Sequence, residues 1–394
     1  MKLNNSKFIS YGKQSINEND IKSVIEVLKS DFITQGPLIP KFEKKVSQFC
    51  KSNYAVAFNS ATSALHIACM SLGVGKNDLV WTSPNSFVAS ANCALYCGAK
   101  IDFVDIDKKT WCLSPFNLEK KLKYHKNMKL QMPKVVIPVH LGGLSCEMKK
   151  IKELSIQYGF KIIEDASHAI GGHYQQKKIG SCLFSDITIF SFHPVKIITT
   201  VEGGMALTNN HNVYEKLSRL RSHGIEKDIT KLEKKDVGPW YYEQIDLGYN
   251  YRITDFQSAL GMSQLKRIKR FIKKRNEIAQ IYERELAGLD ISFQEISNEN
   301  ISSRHLFIIK VSKSIHKQLF NYLRENKIGV NLHYIPIHLH PFYRNLGFKE
   351  GDFPMAENHA LQAISLPIYP DLDKEDLMFV INKIKGFMND TKII

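Results

Sequence analysis

The sequence of 394 residues lacks a long apolar run, an internal repeat and any low-complexity tract. Its most apolar window, residues 87–97, is much shorter than the roughly 20 apolar residues that a transmembrane helix needs. The first 14 residues have no apolar stretch after their lysine, so we expect no secretory signal. These absences argue against a membrane or secreted protein and predict a soluble protein of the cytoplasm.

Cysteine motifs are also missing, because none of the seven cysteines has CxxC spacing. We therefore expect free thiols in a reducing compartment, without a disulfide framework or a zinc site. Three histidines, His333, His338 and His340, lie close together in the sequence. No carboxylate or cysteine accompanies them at a ligand spacing, so no metal site is predicted.

The net charge is strongly positive, at +15, and allows two interpretations. A polyanionic partner such as nucleic acid would explain it, and so would a lysine-rich surface. The lysines are scattered as pairs, such as Lys44-Lys45 and Lys273-Lys274, and no separate helix-turn-helix segment is evident. This pattern favours the surface interpretation, without a nucleic-acid partner.

Short apolar runs alternate with amphipathic stretches between about residues 54 and 208. The predicted strands lie at residues 54–58, 79–82, 100–104, 134–139, 161–164, 187–192 and 204–208, and the predicted helices at 61–72, 87–96 and 147–158. This alternation predicts an α/β fold with a doubly wound, mostly parallel central sheet. Ligands bind such sheets at the carboxyl ends of the strands. The polar residues that follow these strands are therefore the candidates for function.

A long helical stretch begins at Thr254, which forms a capping-box pattern with Gln257 and is followed by an apolar stripe to about Leu286. We interpret this helix as the connection between two domains. The predicted large α/β domain covers residues 1–254, and a smaller C-terminal α+β domain covers residues 255–394. An N-terminal helix at residues 19–28 is expected to pack near the smaller domain.

Two charged groups follow strands of the predicted sheet. The apolar strand that begins at Lys161 ends in Glu164 and Asp165, and a later strand leads into Lys196. A lysine beside a buried strand is costly unless it is partnered or chemically modified, and a Schiff base to pyridoxal phosphate (PLP) would remove that cost. PLP also requires a carboxylate against its pyridine nitrogen, for which Asp165 is suitable.

The remaining parts of a PLP site are present in the expected order. Residues 58–63 follow a strand and open a helix, where free amides and hydroxyls bind an anion such as phosphate. Ser191 adds a hydroxyl near Lys196, and Phe87 is the candidate to cover one face of the pyridine ring. Each residue alone also has a structural interpretation: a helix cap, a core aromatic, a helix start or a solvated lysine. Their joint occurrence favours PLP.

Longer motifs carry a resemblance to a known family. The segments are NSATSALH (59–66), EDASHA (164–169), SFHPVKIITTVEGG (191–204), LRSHGI (220–225) and LGYNYR (247–252). They resemble the sugar aminotransferases of the DegT/DnrJ/EryC1/StrS family over nearly the whole chain. Within it, the similarity is greatest to the transaminases of pseudaminic acid biosynthesis that form UDP-4-amino-4,6-dideoxy-N-acetyl-β-L-altrosamine.

The resemblance implies a PLP-dependent enzyme of fold type I, like aspartate aminotransferase, and a homodimer with active sites at the subunit interface. Lys196 matches the Schiff-base lysine and Asp165 the partner of the pyridine nitrogen. His168 stands where many members have glutamine near the phenolic oxygen of PLP. The other matched cofactor contacts are Ala61, Thr62 and Ser191 for the phosphate, Asn250 for the phosphate of the neighbouring subunit, and Phe87 for ring stacking.

The resemblance also implies substrates and their contacts. L-glutamate would be the amino donor, and the acceptor a UDP-linked 4-keto-6-deoxy-N-acetylhexosamine that is aminated at C4. The segments that match substrate-contact regions contribute Tyr11, Asp31, Phe32, Ile33, Thr34, His333 and Tyr334. Three alternatives stay open. The acceptor could be another dTDP- or UDP-linked keto-sugar, aminated at C3 or C4. The protein could also be a dehydratase, or a non-enzymatic regulator that binds PLP or nucleic acid. Family dehydratases carry histidine in place of the lysine, so Lys196 favours transamination.

Overall fold

The computed structural model describes residues 8–390 of the chain. The strands are β1 Tyr54–Phe58, β2 Leu79–Thr82, β3 Lys100–Phe103, β4 Val135–Ile137, β5 Lys161–Asp165, β6 His173–Tyr174, β7 Lys177–Lys178, β8 Ile187–Ser191, β9 Gly204–Thr208, β10 Ile225–Glu226, β11 Glu243–Gln244, β12 Ser292–Phe293, β13 Phe307–Lys310 and β14 Ala363–Leu366. The helices are α1 Glu18–Leu28, α2 Leu38–Cys50, α3 Ala61–Ser71, α4 Ala89–Tyr96, α5 Pro115–Asn127, α6 Met148–Tyr158, α7 His211–Arg221, α8 Asp255–Glu285, α9 Lys313–Glu325, α10 Pro341–Arg344, α11 Pro354–Ala360 and α12 Lys374–Asp390.

The central sheet has seven strands in the order β1-β9-β8-β5-β4-β2-β3. Every neighbouring pair is parallel except the two that involve β9, which runs antiparallel to both β1 and β8. Strands such as β4 and β8 are buried along their whole length, as expected for strands with helices on both faces. The predicted α/β fold of type I, with its mostly parallel sheet, is confirmed.

Helix α8 is the longest helix, with 31 residues, and it begins as the sequence predicts. Thr254 and Gln257 form the capping box, and the Asp255 carboxylate accepts the amides of Gly36 and Leu38. Helix α1 packs along α8, where buried Asp20 receives hydrogen bonds from Gln264 and Arg267. The N-terminal segment is therefore fixed to this helix.

A second, smaller sheet has the antiparallel order β12-β13-β14 and packs with α9 and α12. Its core collects apolar residues from Ile278 to Met388, together with Ile9 from the N-terminal segment. This part of the chain has the predicted α+β character. The division at residue 254 stays a prediction, since α8 contributes apolar residues to this core and to another one on the large sheet.

Differences from the predicted elements have local causes. The strand predicted at 134–139 ends at Ile137, because Pro138 has no amide with which to continue the ladder. Helix α5 was not predicted, although the Ser114 cap and Pro115 in its first turn are a recognised start signal. Along the part of the chain that the structure describes, no helix combines the length and apolar character needed to cross a bilayer.

Candidate active site

A cavity of about 440 Å³ opens at the carboxyl ends of β5 and β8. It is lined by residues of the large sheet, including Asp165, Ser191 and Lys196, and by the segment around Tyr334. Three larger depressions, of about 850, 750 and 530 Å³, lie elsewhere on the surface, and none of them is lined by a predicted cofactor contact. The chemistry therefore points to the smaller cavity, where sheets of this class bind ligands.

Asp165 is the last residue of β5, and its carboxylate is held by hydroxyl groups. Ser90 donates to one carboxylate oxygen at 2.6 Å, while the amide and hydroxyl of Ser167 donate to the other at 3.1 and 2.6 Å. Since the Ser90 proton is used in this bond, Ser86 must donate to Ser90 in their 2.7 Å contact. The carboxylate is thus fixed in orientation, and it lines the cavity with acceptor capacity left for a ligand N–H.

Glu164 precedes Asp165 in β5 and faces the opposite side of the sheet, because side chains alternate along a strand. Its oxygens accept from Ser185 and Thr188, and His140 Nε2 lies at 2.8 Å. Burial alone would raise the pKa of Glu164, but these hydrogen bonds bring it below its ordinary value. Glu164 is therefore a buried structural carboxylate and is not among the residues that line the cavity.

Lys196 lies in the loop between β8 and β9 and lines the cavity. Burial lowers the pKa of its ammonium to about 8, and the charge of Asp165 opposes this shift. The loop folds back on its own first residue, directly after β8, since the Thr199 hydroxyl and the Thr200 amide both donate to Phe192 O. A lysine with this pKa has about a tenth of its amine unprotonated at pH 7, which makes it a usable nucleophile and base.

The N-terminus of α3 forms an anion cradle beside Lys196. The Ser63 amide is satisfied by Ser60 Oγ and the Ala64 amide by Ser60 O, which leaves the amides of Ala61 and Thr62 for an outside acceptor. The backbone of Gly204 closes the cradle, because a Cβ at this position would lie 2.5 Å from Ala61 N and from Ser60 C. Such an end of a helix binds phosphate.

His168 is buried between two partners at the wall of the cavity. Its Nδ1 accepts the Gly142 amide at 3.3 Å, and its Nε2 lies 3.1 Å from the Tyr334 hydroxyl. Burial, followed by the charge of Lys196, holds the pKa of His168 well below its ordinary value. The ring of His305 lies 4.4 Å from that of His168 and also lines the cavity.

Aromatic side chains form the open side of the cavity. Phe87 is 59% exposed, and its ring lies 6.4 Å from that of Tyr334. Tyr11 lies 5.5 Å from the ring of His333, which is held by a 2.7 Å hydrogen bond to Ser365. Phe87 was open to interpretation as a core residue, and its exposure at the cavity instead leaves its ring free to cover a ligand.

The structure brings together ten of the residues singled out from the sequence: Tyr11, Ala61, Thr62, Phe87, Asp165, His168, Ser191, Lys196, His333 and Tyr334. It does not bring Asn250 into the cavity of its own chain, since Asn250 is exposed and bridged to Ser222. Of the predicted substrate segment, Asp31 and Phe32 line a separate depression, Ile33 is exposed and Thr34 pairs with Thr254.

Several cavity residues escaped the sequence analysis. Ser167 and Ser90 could have been found, because each follows a strand end of the large sheet within a short distance in the chain. Glu202 belongs to the loop that carries Lys196 and had no chemical signal of its own. His305 and Asn331 come from the smaller sheet region, whose residues reach the cavity only through tertiary packing.

The residues of the cavity fit pyridoxal phosphate. The two free amides at the start of α3 and the close approach of Gly204 suit a phosphate group. The fixed carboxylate of Asp165 suits a protonated ring nitrogen, and the amine of Lys196 suits a carbonyl carbon. Phe87 supplies an exposed aromatic face beside them.

Comparisons with known proteins agree with this fit. Residues 14–385 match the model of the DegT/DnrJ/EryC1/StrS aminotransferase family. UDP-4-amino-4,6-dideoxy-N-acetyl-beta-L-altrosamine transaminase of Campylobacter jejuni is 36% identical over 389 residues, 98% of each chain. Helicobacter pylori PseC, an aminotransferase involved in the biosynthesis of pseudoaminic acid, has a TM-score of 0.88 at 30% identity, covering 98% of this chain and 100% of its own. Spr1654 of Streptococcus pneumoniae in its PLP form has a TM-score of 0.87 at 28% identity, covering 98% and 99%.

Proposed function

The chain belongs to the DegT/DnrJ/EryC1/StrS aminotransferase family, and we propose that it moves the amino group of L-glutamate to C4 of a UDP-linked 4-keto-6-deoxy-N-acetylhexosamine. It is a PLP-dependent sugar aminotransferase. The proposal for the sugar rests on the likeness, over 98% of the chain, to the Campylobacter jejuni transaminase and to Helicobacter pylori PseC. The proposed place in pseudaminic acid biosynthesis rests on the same likeness alone, and no contact in the cavity contributes to it.

The observation that carries the chemistry is the pairing of Lys196 with Asp165 in one cavity. PLP, when bound, supplies an electron sink for the charge left when a proton leaves the carbon that bears the amino group. Asp165 would hold the ring nitrogen protonated, Ala61, Thr62 and Ser191 would bind the phosphate, and Phe87 would cover the ring.

Lys196 acts as the base in both half-reactions. With the cofactor and the amino donor bound, the neutral Lys196 amine would take the proton from the donor carbon that bears the amino group and would hold it for the return transfer. With the keto-sugar, Lys196 moves a proton in the opposite direction and so fixes the face on which the new C–H bond forms. Its lowered pKa suits this exchange near neutral pH.

The proposal includes a homodimer with shared active sites. Asn250 and residues 31–34 lie outside the cavity of their own chain, although the resemblance implies that they contact cofactor and substrate. The nearby segment exposes large apolar side chains, with Trp240 80% and Leu247 77% exposed. A second copy that covers these side chains would bring Asn250 to its cavity. The predicted cytoplasmic location stays a prediction.

An absorbance experiment tests the proposed reaction. The purified protein with PLP is expected to show the band of lysine-bound cofactor, which L-glutamate converts to the pyridoxamine form and a UDP-4-keto sugar restores. The sugar that restores the band fastest identifies the acceptor. Restoration only by dTDP-linked or 3-keto sugars would replace the proposed substrate by the alternative one, and no conversion by L-glutamate would reject the proposed donor.

A further inference from the structure

His168 makes one hydrogen bond at each ring nitrogen, and the two bonds together fix where its proton lies. The Gly142 amide points at Nδ1 over 3.3 Å, and a backbone N–H can only donate. Nδ1 therefore carries the lone pair. Because burial and Lys196 keep His168 uncharged near neutral pH, its single ring proton is on Nε2.

The turn that provides the Gly142 amide is held from two sides. Gly142 has φ +68°, and Gly143 has φ +99°, a region that favours glycine. A Cβ on Gly143 would lie 2.3 Å from Ser303 Oγ and 2.9 Å from His168 O, while Ser303 Oγ itself donates to His168 O at 2.6 Å. The donor to Nδ1 thus has little freedom to turn away, and the tautomer of His168 is built into the fold.

The tautomer determines the role of Tyr334. With its proton on Nε2, His168 donates to the Tyr334 oxygen over 3.1 Å, so the tyrosine proton must find another acceptor. Between residues 8 and 390, no acceptor for this proton lies within hydrogen-bond range. The backbone of Tyr334 is anchored by its amide, which donates to Asn85 Oδ1 at 3.0 Å.

The Tyr334 hydroxyl also stays protonated. Burial raises the pKa of Tyr334, and the neighbouring charge of Asp165 raises it further. The residue lines the cavity together with Asp165 and Lys196. An uncharged O–H group whose oxygen already accepts a hydrogen bond is therefore presented to whatever occupies the cavity.

We propose that Tyr334 donates a hydrogen bond to a ligand oxygen beside Lys196, and that the Gly142–His168 pair is the positioning device that commits Tyr334 to donation. This inference rests on the proposed function and deepens it. The oxygen carries full or partial negative charge, and its two possible sources are the phenolic oxygen of the cofactor and a carbonyl or carboxylate oxygen of a substrate.

Three variants separate the donor from the device that orients it. Tyr334→Phe removes the donor. His168→Gln keeps an N–H at the distance of Nε2 and so still donates to Tyr334, whereas His168→Asn keeps only an acceptor at the distance of Nδ1. We expect Y334F and H168N to share one defect and H168Q to resemble the wild type. Thermal unfolding of each holoenzyme checks that all three are folded.

The readouts distinguish the two sources of the oxygen. If the acceptor is the phenolic oxygen, Y334F raises the pH midpoint of the cofactor absorbance band, because the oxygen becomes more basic without its donor. If the acceptor belongs to a substrate, the band is unchanged and the KM for that substrate rises about tenfold, the value of one hydrogen bond of about 1.4 kcal/mol. If neither the midpoint nor either KM changes in Y334F, the inference is wrong.

A double variant tests whether His168 acts through Tyr334. In Y334F/H168N the loss should equal that of Y334F alone, since the device has nothing left to orient. Losses that multiply would overturn the positioning role. Failure of the proposed function gives a different result, namely a wild-type enzyme that does not turn over UDP-4-keto sugars. In that case Y334F should still shift the cofactor band if the phenolic oxygen is the acceptor. Otherwise Y334F should still raise the KM for the substrate that the wild-type enzyme does use.

Discussion

The two faces of the sheet at the end of β5 carry neighbouring carboxylates with different surroundings. On the buried face, Glu164 is bonded to His140, Ser185 and Thr188. On the cavity face, Asp165 is oriented by Ser90 and Ser167 but lines an open space shared with Lys196. One face satisfies its polar groups internally and stabilises the fold, while the other retains unused bonding capacity, and that capacity is what a ligand can use.

Removal of Lys196 should have the largest effect on the cavity face. We expect Lys196→Ala to lower kcat by at least about a thousandfold, because both the nucleophile and the base are lost. Its thermal stability should be equal to the wild type or higher, since a cation beside a buried strand is removed. The exposed Lys177→Ala is the matched control and should keep full activity. Wild-type turnover of L-glutamate in the Lys196 variant would exclude its assigned role.

A matched pair of substitutions tests the two carboxylates directly. Asp165→Asn should lower kcat on the order of a hundredfold or more, because the amide cannot hold a ring nitrogen protonated. Its loss of unfolding free energy should be smaller than that of Glu164→Gln, because Asp165 lines the cavity. Glu164→Gln should instead destabilise the protein by about 2–4 kcal/mol, because it disrupts a buried hydrogen-bonded network. Activity per folded molecule should be retained. Chemical denaturation and single-turnover kinetics measure the two effects, and an exchange of these phenotypes would refute the contrast.

The anion cradle offers a steric test on the cavity face. Gly204→Ala places a methyl group 2.5 Å from the backbone of Ser60 and Ala61, so we expect the affinity for PLP to fall by roughly a hundredfold. Gly75→Ala is the control, since a Cβ there meets no atom within 4 Å and the backbone needs no left-handed φ. Fluorescence titration with PLP measures both. Equal affinities in the two variants would show that the phosphate binds elsewhere.

Acid should lower the free energy of unfolding, because two buried histidines at or near the cavity stay neutral in the folded protein. His333 bonds a serine hydroxyl and His359 a carbonyl, instead of a carboxylate, and burial lowers the pKa of each to about 3. Below pH 6.5 the unfolded chain takes up protons that the folded chain refuses, so stability falls as the pH decreases towards 3. Each histidine should cost about 2 kcal/mol at pH 5 relative to the fully neutral state.

Substitution of one of these histidines sharpens the pH measurement. His359→Gln should show a smaller loss of unfolding free energy between pH 7 and pH 5 than the wild type, by about 2 kcal/mol. A stability that is constant from pH 7 to pH 5 in the wild type would contradict the buried neutral state of His333 and His359.

Much of the large sheet was predictable from the sequence, because its buried strands are short apolar runs that end in polar residues. The bounds of β1, β2 and β9 agree with the prediction residue for residue. Lys196 and Asp165 were found because an amine and a carboxylate that follow buried strands of one sheet are the pair of groups that PLP requires. The contact between His168 and Tyr334 was not predictable, since it joins residues 166 positions apart through the fold of the smaller sheet region.

Glu164 illustrates what a local pattern leaves undecided. Two adjacent carboxylates at a strand end predict one inward and one outward side chain, and the alternation alone does not say which faces the ligand. That choice depends on which face of β5 the following loop leaves uncovered, and His140 covers one of them. The sequence analysis selected Asp165 as the partner of the ring nitrogen and the resemblance matched the same residue, and the cavity contains Asp165 and not Glu164.

The single antiparallel strand of the large sheet has a consequence for how the protein folds. Strands β8 and β9 are neighbours both in the chain and in the sheet, with Ser191 opposite Gly204, so the 12-residue loop 192–203 returns to the edge from which it left. Closing so short a loop costs little conformational entropy, and contacts between near neighbours in sequence form early. The first residue of β1, Tyr54, lies 150 residues upstream of Gly204, and β1 pairs with the other edge of β9. We therefore expect the hairpin that carries Lys196 to assemble before β1 joins it.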